Sequence, residues 1–368
     1  MNVEARSPAA TTALHSKPAI ADCDIHPCLV AARDILPWLP ARWQHHMQTY
    51  GMLPRHGYQS GPAYPKGQPD AARRDSWPPG GRPGSDLGFM QRQHLDPNNV
   101  VLGVLNVIAP AAGAAQNLDF SAAMARALNE WQVAEWTSKD SRLKGSIVVP
   151  YEDAAAAAAE IRHWAGHPGF VQVLLLSRTA EPLGQRRYWP LYEAAQEAGL
   201  PIGVHAFGYG GYPVTGGGWP SFYIEEMVGH AQACQSLLTS MVIEGVFERF
   251  PRLRLVLIEA GFAWLPSLAW RLDKHWARLR DETPHLKRPP SEYIRQHVWL
   301  TTQPMEEPEK RRHLADVIEW IGIDRLLFAT DYPHWDYDDP EWGLPIRIEG
   351  AARQGLFLDN ARALYGAG

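Results

Sequence analysis

Eight apolar runs of strand length, most of them separated by segments of helical period, organise this 368-residue chain. The strand candidates are Ala19–Ile25, Val100–Val107, Lys144–Val149, Phe170–Leu176, Pro201–His205, Leu253–Glu259, His297–Thr301 and Arg325–Thr330. Helical patterns cover Phe120–Ser138, Asp153–Ala165, Trp189–Ala198, Glu225–Phe250, Trp264–Arg280 and Glu307–Ile321, with shorter ones at Leu344–Arg353 and Asp359–Tyr365. Strands joined through helices pair in parallel, and eight such units in succession predict a closed (β/α)8 TIM barrel. An open doubly wound sheet would want a glycine-rich first turn, which the chain lacks.

Several runs end on residues that bind metals or protons. Leu326–Thr330 stops at Asp331 and turns through Tyr332-Pro333; Ile202–Val204 stops at His205; Leu255–Ile258 stops at Glu259. The first strand carries Asp22, Asp24 and His26 at alternate positions, which in a regular strand share one face. A buried carboxylate is costly unless it is paired, hydrogen-bonded or bound to a metal, and barrels of this kind place their chemistry at carboxyl strand ends. Asp24, His26, His205 and Asp331 together offer two imidazoles and two carboxylates from three strands. That set suits one divalent ion, zinc first and manganese second.

The rest of the chain narrows the setting. A net charge of -5 with no segment dense in Lys or Arg argues against nucleic acid and for a small-molecule substrate. Cys23, Cys28 and Cys234 form neither a CxxC pair nor an even framework, so disulfides and structural zinc are not expected and a reducing, cytoplasmic setting is. The longest apolar stretch, Val100–Ala115, is interrupted by Asn106, Pro110 and Gly113 and predicts no membrane span. Residues 1–18 read as a disordered tail ahead of a single barrel domain at 19–368. Within it, residues 30–97 are too long for an ordinary connection and read as an insertion that walls or covers a pocket.

Gly208–Gly218 reads as a mobile loop beside the site, since it has neither a dinucleotide fingerprint nor a P-loop ending. Trp131, Trp164 and Trp270 sit at helical positions that serve core or subunit packing, and a homo-oligomer is expected. Trp38, Trp43, Trp77, Trp219 and Trp335 fall in the insertion and loops and predict a pocket for a flat, apolar or aromatic substrate. Arg55, Arg73 and Arg92 are candidate carboxylate binders, although solvated loop arginines are commoner.

The chain resembles the amidohydrolase superfamily, in particular the amidohydrolase-related group that includes aminocarboxymuconate semialdehyde decarboxylase. The resemblance rests on Asp22-x-Asp24-x-His26-Pro27, the strand ending at His205, Glu259-Ala-Gly-x-x-Trp264-x-Pro266, Ala329-Thr-Asp331-Tyr-Pro333-His334 and Asn360-Ala-Arg-x-Leu-Tyr365. It departs from the group twice: many members have His-x-His on the first strand, and the decarboxylases usually have a histidine where this chain has Glu259.

Three functions follow as expectations. The first is a metal-dependent hydrolase of a small amide, lactone or related bond, in which Asp331 takes a proton from metal-held water. There Glu259 orients substrate or carries a second proton, unless it merely accepts from backbone amides at a helix start, and His334 meets substrate or only closes the turn. The second is a carboxy-lyase acting on an aromatic or unsaturated acid. The third is a non-catalytic binding barrel.

Overall fold

The computed structural model describes residues 17–51, 69–110, 112–114, 117–206 and 213–366. Most of the expected tail, Arg55 and the first half of the Gly208–Gly218 loop lie outside those residues. Eight strands form one parallel sheet in sequential order: β1 (Ile20–Ile25), β2 (Val100–Leu105), β3 (Leu143–Val148), β4 (Phe170–Leu176), β5 (Ile202–His205), β6 (Leu255–Ile258), β7 (Val298–Thr301) and β8 (Leu326–Leu327). The architecture is a (β/α)8 barrel. Strands such as Leu-Val-Leu-Ile in β6 are buried at every position, as a parallel strand covered on both faces requires.

β8 is shorter than its apolar run, because side chains take over where the backbone ladder ends. Ala329 N donates to Thr302 Oγ1 at 3.2 Å, and Asp22 accepts from Thr330 N at 2.9 Å and Thr330 Oγ1 at 2.6 Å. Backbone bonds from Cys23 to Phe328, Asp331 to Asp24 and His26 to Tyr332 then carry β8 onto β1. Asp22 also accepts from His94 Nε2 at 2.7 Å.

β1 is not regular. Its register against β2 gains a residue between Asp22 and Ile25, a bulge that breaks the simple alternation expected there. Asp22 is thereby parted from Asp24 and His26, and its two oxygens serve the seam between the first and last strands.

The covering helices bury one stripe each. In Arg311–Ile321 the buried residues are Leu314, Ile318 and Ile321, spaced as an amphipathic helix demands. The expected long helix Glu225–Phe250 is divided: Tyr223–Ile243 stops before Gly245, whose φ of 81° lies in the left-handed region, and Val246–Arg249 restarts. Inside the sheet, Ala21, Cys23, Leu102, Leu174, Val256, Ile258 and Leu327 pack with Leu358, Ala361 and Leu364 of the C-terminal segment. Asn360 Nδ2 fixes that segment by donating to Ile323 O and Leu326 O, both at 2.8 Å, so it plugs the amino-terminal end of the barrel.

The described part of the insertion lies over the opposite end. Ala72 bridges His334 in antiparallel fashion, Arg73 N donates to Pro333 O, and Trp335 N donates to Ala71 O. The insertion is thus stitched to the loop that follows β8.

Candidate metal centre

Asp24, His26, His205, Glu259, Asp331 and His334 meet at the carboxyl mouth of the barrel. One ligand-type atom from each of Asp24, His26, His205 and Glu259 lies within 4.8 Å of the others, and the same holds for His26, Glu259, Asp331 and His334. Backbone geometry supports the gathering. Glu259 (φ 55°) and Asp331 (φ 62°) adopt left-handed conformations that cost a non-glycine residue energy, and Asp70 and Ala71 do likewise beside the mouth. Such residues concentrate at functional sites, where the surroundings hold them in place.

Asn106, one residue past β2, aims two of the side chains. His26 Nδ1 donates to Asn106 O at 2.8 Å, and Asn106 Nδ2 donates to Asp24 Oδ1, also at 2.8 Å. A carbonyl can only accept, so the His26 hydrogen is fixed on Nδ1 and Nε2 turns its other side inward. That nitrogen stands 2.9 Å from Asp331 Oδ1 and 3.1 Å from Asp24 Oδ1, yet is aligned for a hydrogen bond with neither. Asp24 Oδ2 and Glu259 Oε2 are likewise buried and without a hydrogen-bond partner among the described residues.

His205 Nε2 lies 3.0 Å from Glu259 Oε2 and 3.5 Å from Asp24 Oδ2. Asp331 Oδ1 accepts from His334 Nδ1 at 2.6 Å, and its Oδ2 accepts from Gln303 Nε2 at 3.2 Å.

Three buried carboxylates at one point call for positive charge. Without an ion the imidazoles supply it. Burial lowers the pKa of His205, but the charges of Asp24 and Glu259 outweigh burial and raise it to about 9. His26 moves the same way: burial opposes, and Asp24 and then Asp331 lift it well above the ordinary value. Burial would raise Asp24 and Glu259, and the neighbouring histidines instead hold both below their usual range. Asp331 goes up, first through burial and then through the charge of Glu259. His334 falls to about 4 through burial and the charge of His26.

Two protonated imidazoles carry the charge of one divalent cation, and the converging unpartnered atoms are N and O donors that such a cation accepts. The donors describe one position, not two, because His26 has spent Nδ1 on Asn106 and has a single nitrogen to offer.

A cavity of about 280 Å³ opens above the cluster, walled by Ile108, Tyr223, Met227, Glu259, His334 and Trp335, with Asp70 and Arg82 from the insertion. Of the five tryptophans expected in a pocket, Trp335 lines it. Trp38 lines a separate crevice, Trp219 a groove against Ile224 and Val228, and Trp43 is buried. Arg73 pairs with Asp75 and lies over Tyr337, and neither it nor Arg92 reaches the cavity. The cavity's arginine is Arg82, paired with Asp70 at 3.0 Å.

Asn106, Gln303, Tyr223 and Arg82 were not among the expected site residues. For Asn106 a signal was present: it is the polar residue that interrupts the apolar stretch Val100–Ile108.

Fold and site define a (β/α)8-barrel protein with a histidine–carboxylate centre for a single divalent cation at its carboxyl mouth. The chain belongs to the amidohydrolase family, whose profile, Amidohydro_2 (Amidohydrolase), matches residues 21–367. It is 27% identical over 290 residues to gamma-resorcylate decarboxylase of Polaromonas sp. (strain JS666), covering 74% of this chain and 85% of the relative. Among solved structures it resembles a dihydroxybenzoic acid decarboxylase from Polaromonas sp. JS666 with bound manganese and the inhibitor 2-nitroresorcinol (TM-score 0.65, 20% identity, 95% of this chain and 97% of that one). It also resembles 5-carboxyvanillate decarboxylase from Sphingomonas paucimobilis (TM-score 0.66, 20% identity, 95% and 99%).

These relatives overturn the hydrolase expectation. The curated kin that align over most of both chains are decarboxylases. Among the described residues no helix is long and apolar enough to cross a membrane.

Proposed function

We propose that the protein is a divalent-metal-dependent carboxy-lyase that removes CO2 from a hydroxylated aromatic acid. The observation that carries this reading is the Asp331–His334 pair, a carboxyl biased towards holding its proton, at the floor of a cavity sized for one aromatic ring. A carboxy-lyase needs a proton donor at the carbon that loses CO2. The names of the relatives support the substrate class.

Asp24, His26 and His205 would hold the ion, with Glu259 and the protonated Asp331 carboxyl beside them. When bound, the ion would supply Lewis-acid charge to the substrate's carboxylate and neighbouring hydroxyl. Trp335, Tyr223, Met227 and Ile108 hold the flat ring and keep water from its face. Glu259 accepts a hydrogen bond from a ring hydroxyl. The Asp331 carboxyl gives its proton to the ring carbon bearing the carboxylate; the carbon–carbon bond then breaks, its electron pair returns to the ring, and CO2 leaves. His334, on the cavity side, passes a proton back to Asp331.

The test is CO2 release by manganese-loaded protein from a panel of hydroxybenzoates that includes 2,6-dihydroxybenzoate. In D2O the product should carry deuterium at the carbon that held the carboxylate. Tight binding of these acids with no CO2 from any of them would overturn the proposal and leave a binding barrel.

A further inference from the structure

Beneath the metal centre a row of buried polar side chains crosses the barrel interior. Asn106 Oδ1 faces Ser146 Oγ at 2.7 Å and Gln172 Nε2 at 3.0 Å; Gln172 Nε2 is also 2.9 Å from Ser146 Oγ, and Gln172 Oε1 is 3.1 Å from Tyr365 OH. Asn106, Ser146 and Gln172 are fully buried. The donors come from the strand ends or interiors of β2, β3 and β4 and from the last turn of the C-terminal helix Asn360–Tyr365.

The direction of every bond in the row is fixed by Asp24. An ionised carboxylate only accepts, so Asn106 must present its NH2 to Asp24 Oδ1 and its carbonyl oxygen to Ser146 and Gln172. Both of those must then donate, which turns the Gln172 carbonyl towards Tyr365, and the tyrosine must donate in turn. Hydrogen bonds that point one way along a chain polarise one another. The row therefore runs as a single series of donors from the plug at the bottom of the barrel to a carboxylate at its top. With Oδ1 occupied in this way, Asp24 has Oδ2 left for the centre, and Oδ2 is the oxygen without a hydrogen-bond partner among the described residues.

We infer that Asn106, held by Ser146, Gln172 and Tyr365, is the positioning residue of the metal centre: its side-chain NH2 selects the free Asp24 oxygen and its backbone carbonyl selects the free His26 nitrogen. The C-terminal helix is thus coupled to metal affinity through the barrel interior. This rests on the proposed divalent-ion site but not on the proposed reaction.

The experiment measures manganese affinity by competition with a fluorescent chelator, with apo-protein thermal unfolding in parallel, for wild type, Asn106→Leu, Tyr365→Phe and the double variant. Loss of a partner that orients a metal ligand typically weakens binding about 10–100-fold, and Asn106→Leu should fall in that range. Tyr365→Phe, which removes one distant hydroxyl, should weaken binding severalfold. In the double variant Tyr365→Phe should add little, since the series is already cut. Wild type that binds no manganese would sink the metal reading itself. Wild type that binds, with Tyr365→Phe lowering apo stability but leaving affinity unchanged or acting additively with Asn106→Leu, would overturn the coupling and leave a structural row. If Asn106→Leu fails to fold, Ser146→Ala takes its place in the same cycle.

Discussion

Metal uptake should release two protons per ion near neutral pH. In the ion-free site His205 titrates at about 9 and His26 is raised well above its ordinary value, so both rings are cationic at pH 7 to 8. An imidazole that ligates must give up that proton. Raising the pH from 7 to 8 removes a tenfold proton competition at each ring, so affinity should climb about 100-fold, or about 2.7 kcal/mol at 1.36 kcal/mol per unit. The gain should shrink above pH 9, once His205 is already neutral. The same shift has a stability counterpart: a raised pKa stabilises the fold fully below the unfolded value and loses that contribution as pH rises through the folded one, so the metal-free protein should weaken between about pH 6.5 and 9. Titration calorimetry in buffers of different ionisation enthalpy counts the protons, and chelator competition across pH gives the slope. A count near zero with a flat affinity profile would refute the argument, because it would mean that the rings are neutral in the empty site and the carboxylates are balanced in some other way.

Three further outcomes follow. Asp331→Asn should keep most of its metal and lose about 10²–10⁴-fold in turnover, because the amide retains an oxygen towards His26 and His334 but cannot donate a carboxyl proton; Gln303 Oε1, unpartnered among the described residues, can turn to accept from the new NH2. A metal-loaded Asp331→Asn protein with near wild-type single-turnover rates would remove Asp331 as the proton donor. Asp22→Asn should destabilise by about 3–5 kcal/mol in denaturant melts, since it replaces a charged acceptor of bonds from Thr330 and His94 and sets an NH2 against donors; a change under 1 kcal/mol would show that the β1–β8 seam does not depend on it. Trp335→Leu should raise KM for aromatic acids about 3–10-fold with kcat little changed, the worth of one aromatic contact, and an unchanged KM would take Trp335 out of the ring-binding wall.

What the sequence made legible was whatever depended on local pattern. The barrel could be read because parallel strands buried on both faces become continuous apolar runs, and the helices between them keep a 3.6-residue period. Strand-end residues could be read for the same reason: Asp331 and His205 interrupt such runs. Asp22 was misplaced with Asp24 and His26 because strict alternation ignores the β1 bulge, and the bonds of Asp22 to Thr330 and His94 are long-range ones that no local pattern shows. The break at Gly245 was missed because the apolar spacing continues across it, and only a positive φ separates the two helices. Arg82 and Asp70 could not have been assigned to the cavity, since nothing periodic fixes where a proline- and glycine-rich insertion returns to the barrel.

Glu259 shows how pattern and geometry divide the work. The sequence marks it as a departure from the decarboxylases' usual histidine, and on that ground a hydrolase looked the better reading. In the fold its carboxylate lies 3.0 Å from His205 Nε2, and its charge is among the causes that raise His205 and Asp331 together. A histidine there could not push a proton onto Asp331 in this way; a carboxylate does. On the proposed reaction, the carboxylate shifts acid character to the end of β8, where His334 would renew it. Glu259→Gln would remove that push while keeping the shape, so Asp331 should titrate lower. In a carboxy-lyase the alkaline limb of the pH–rate profile, set by loss of the proton from the donor, should move to lower pH with it.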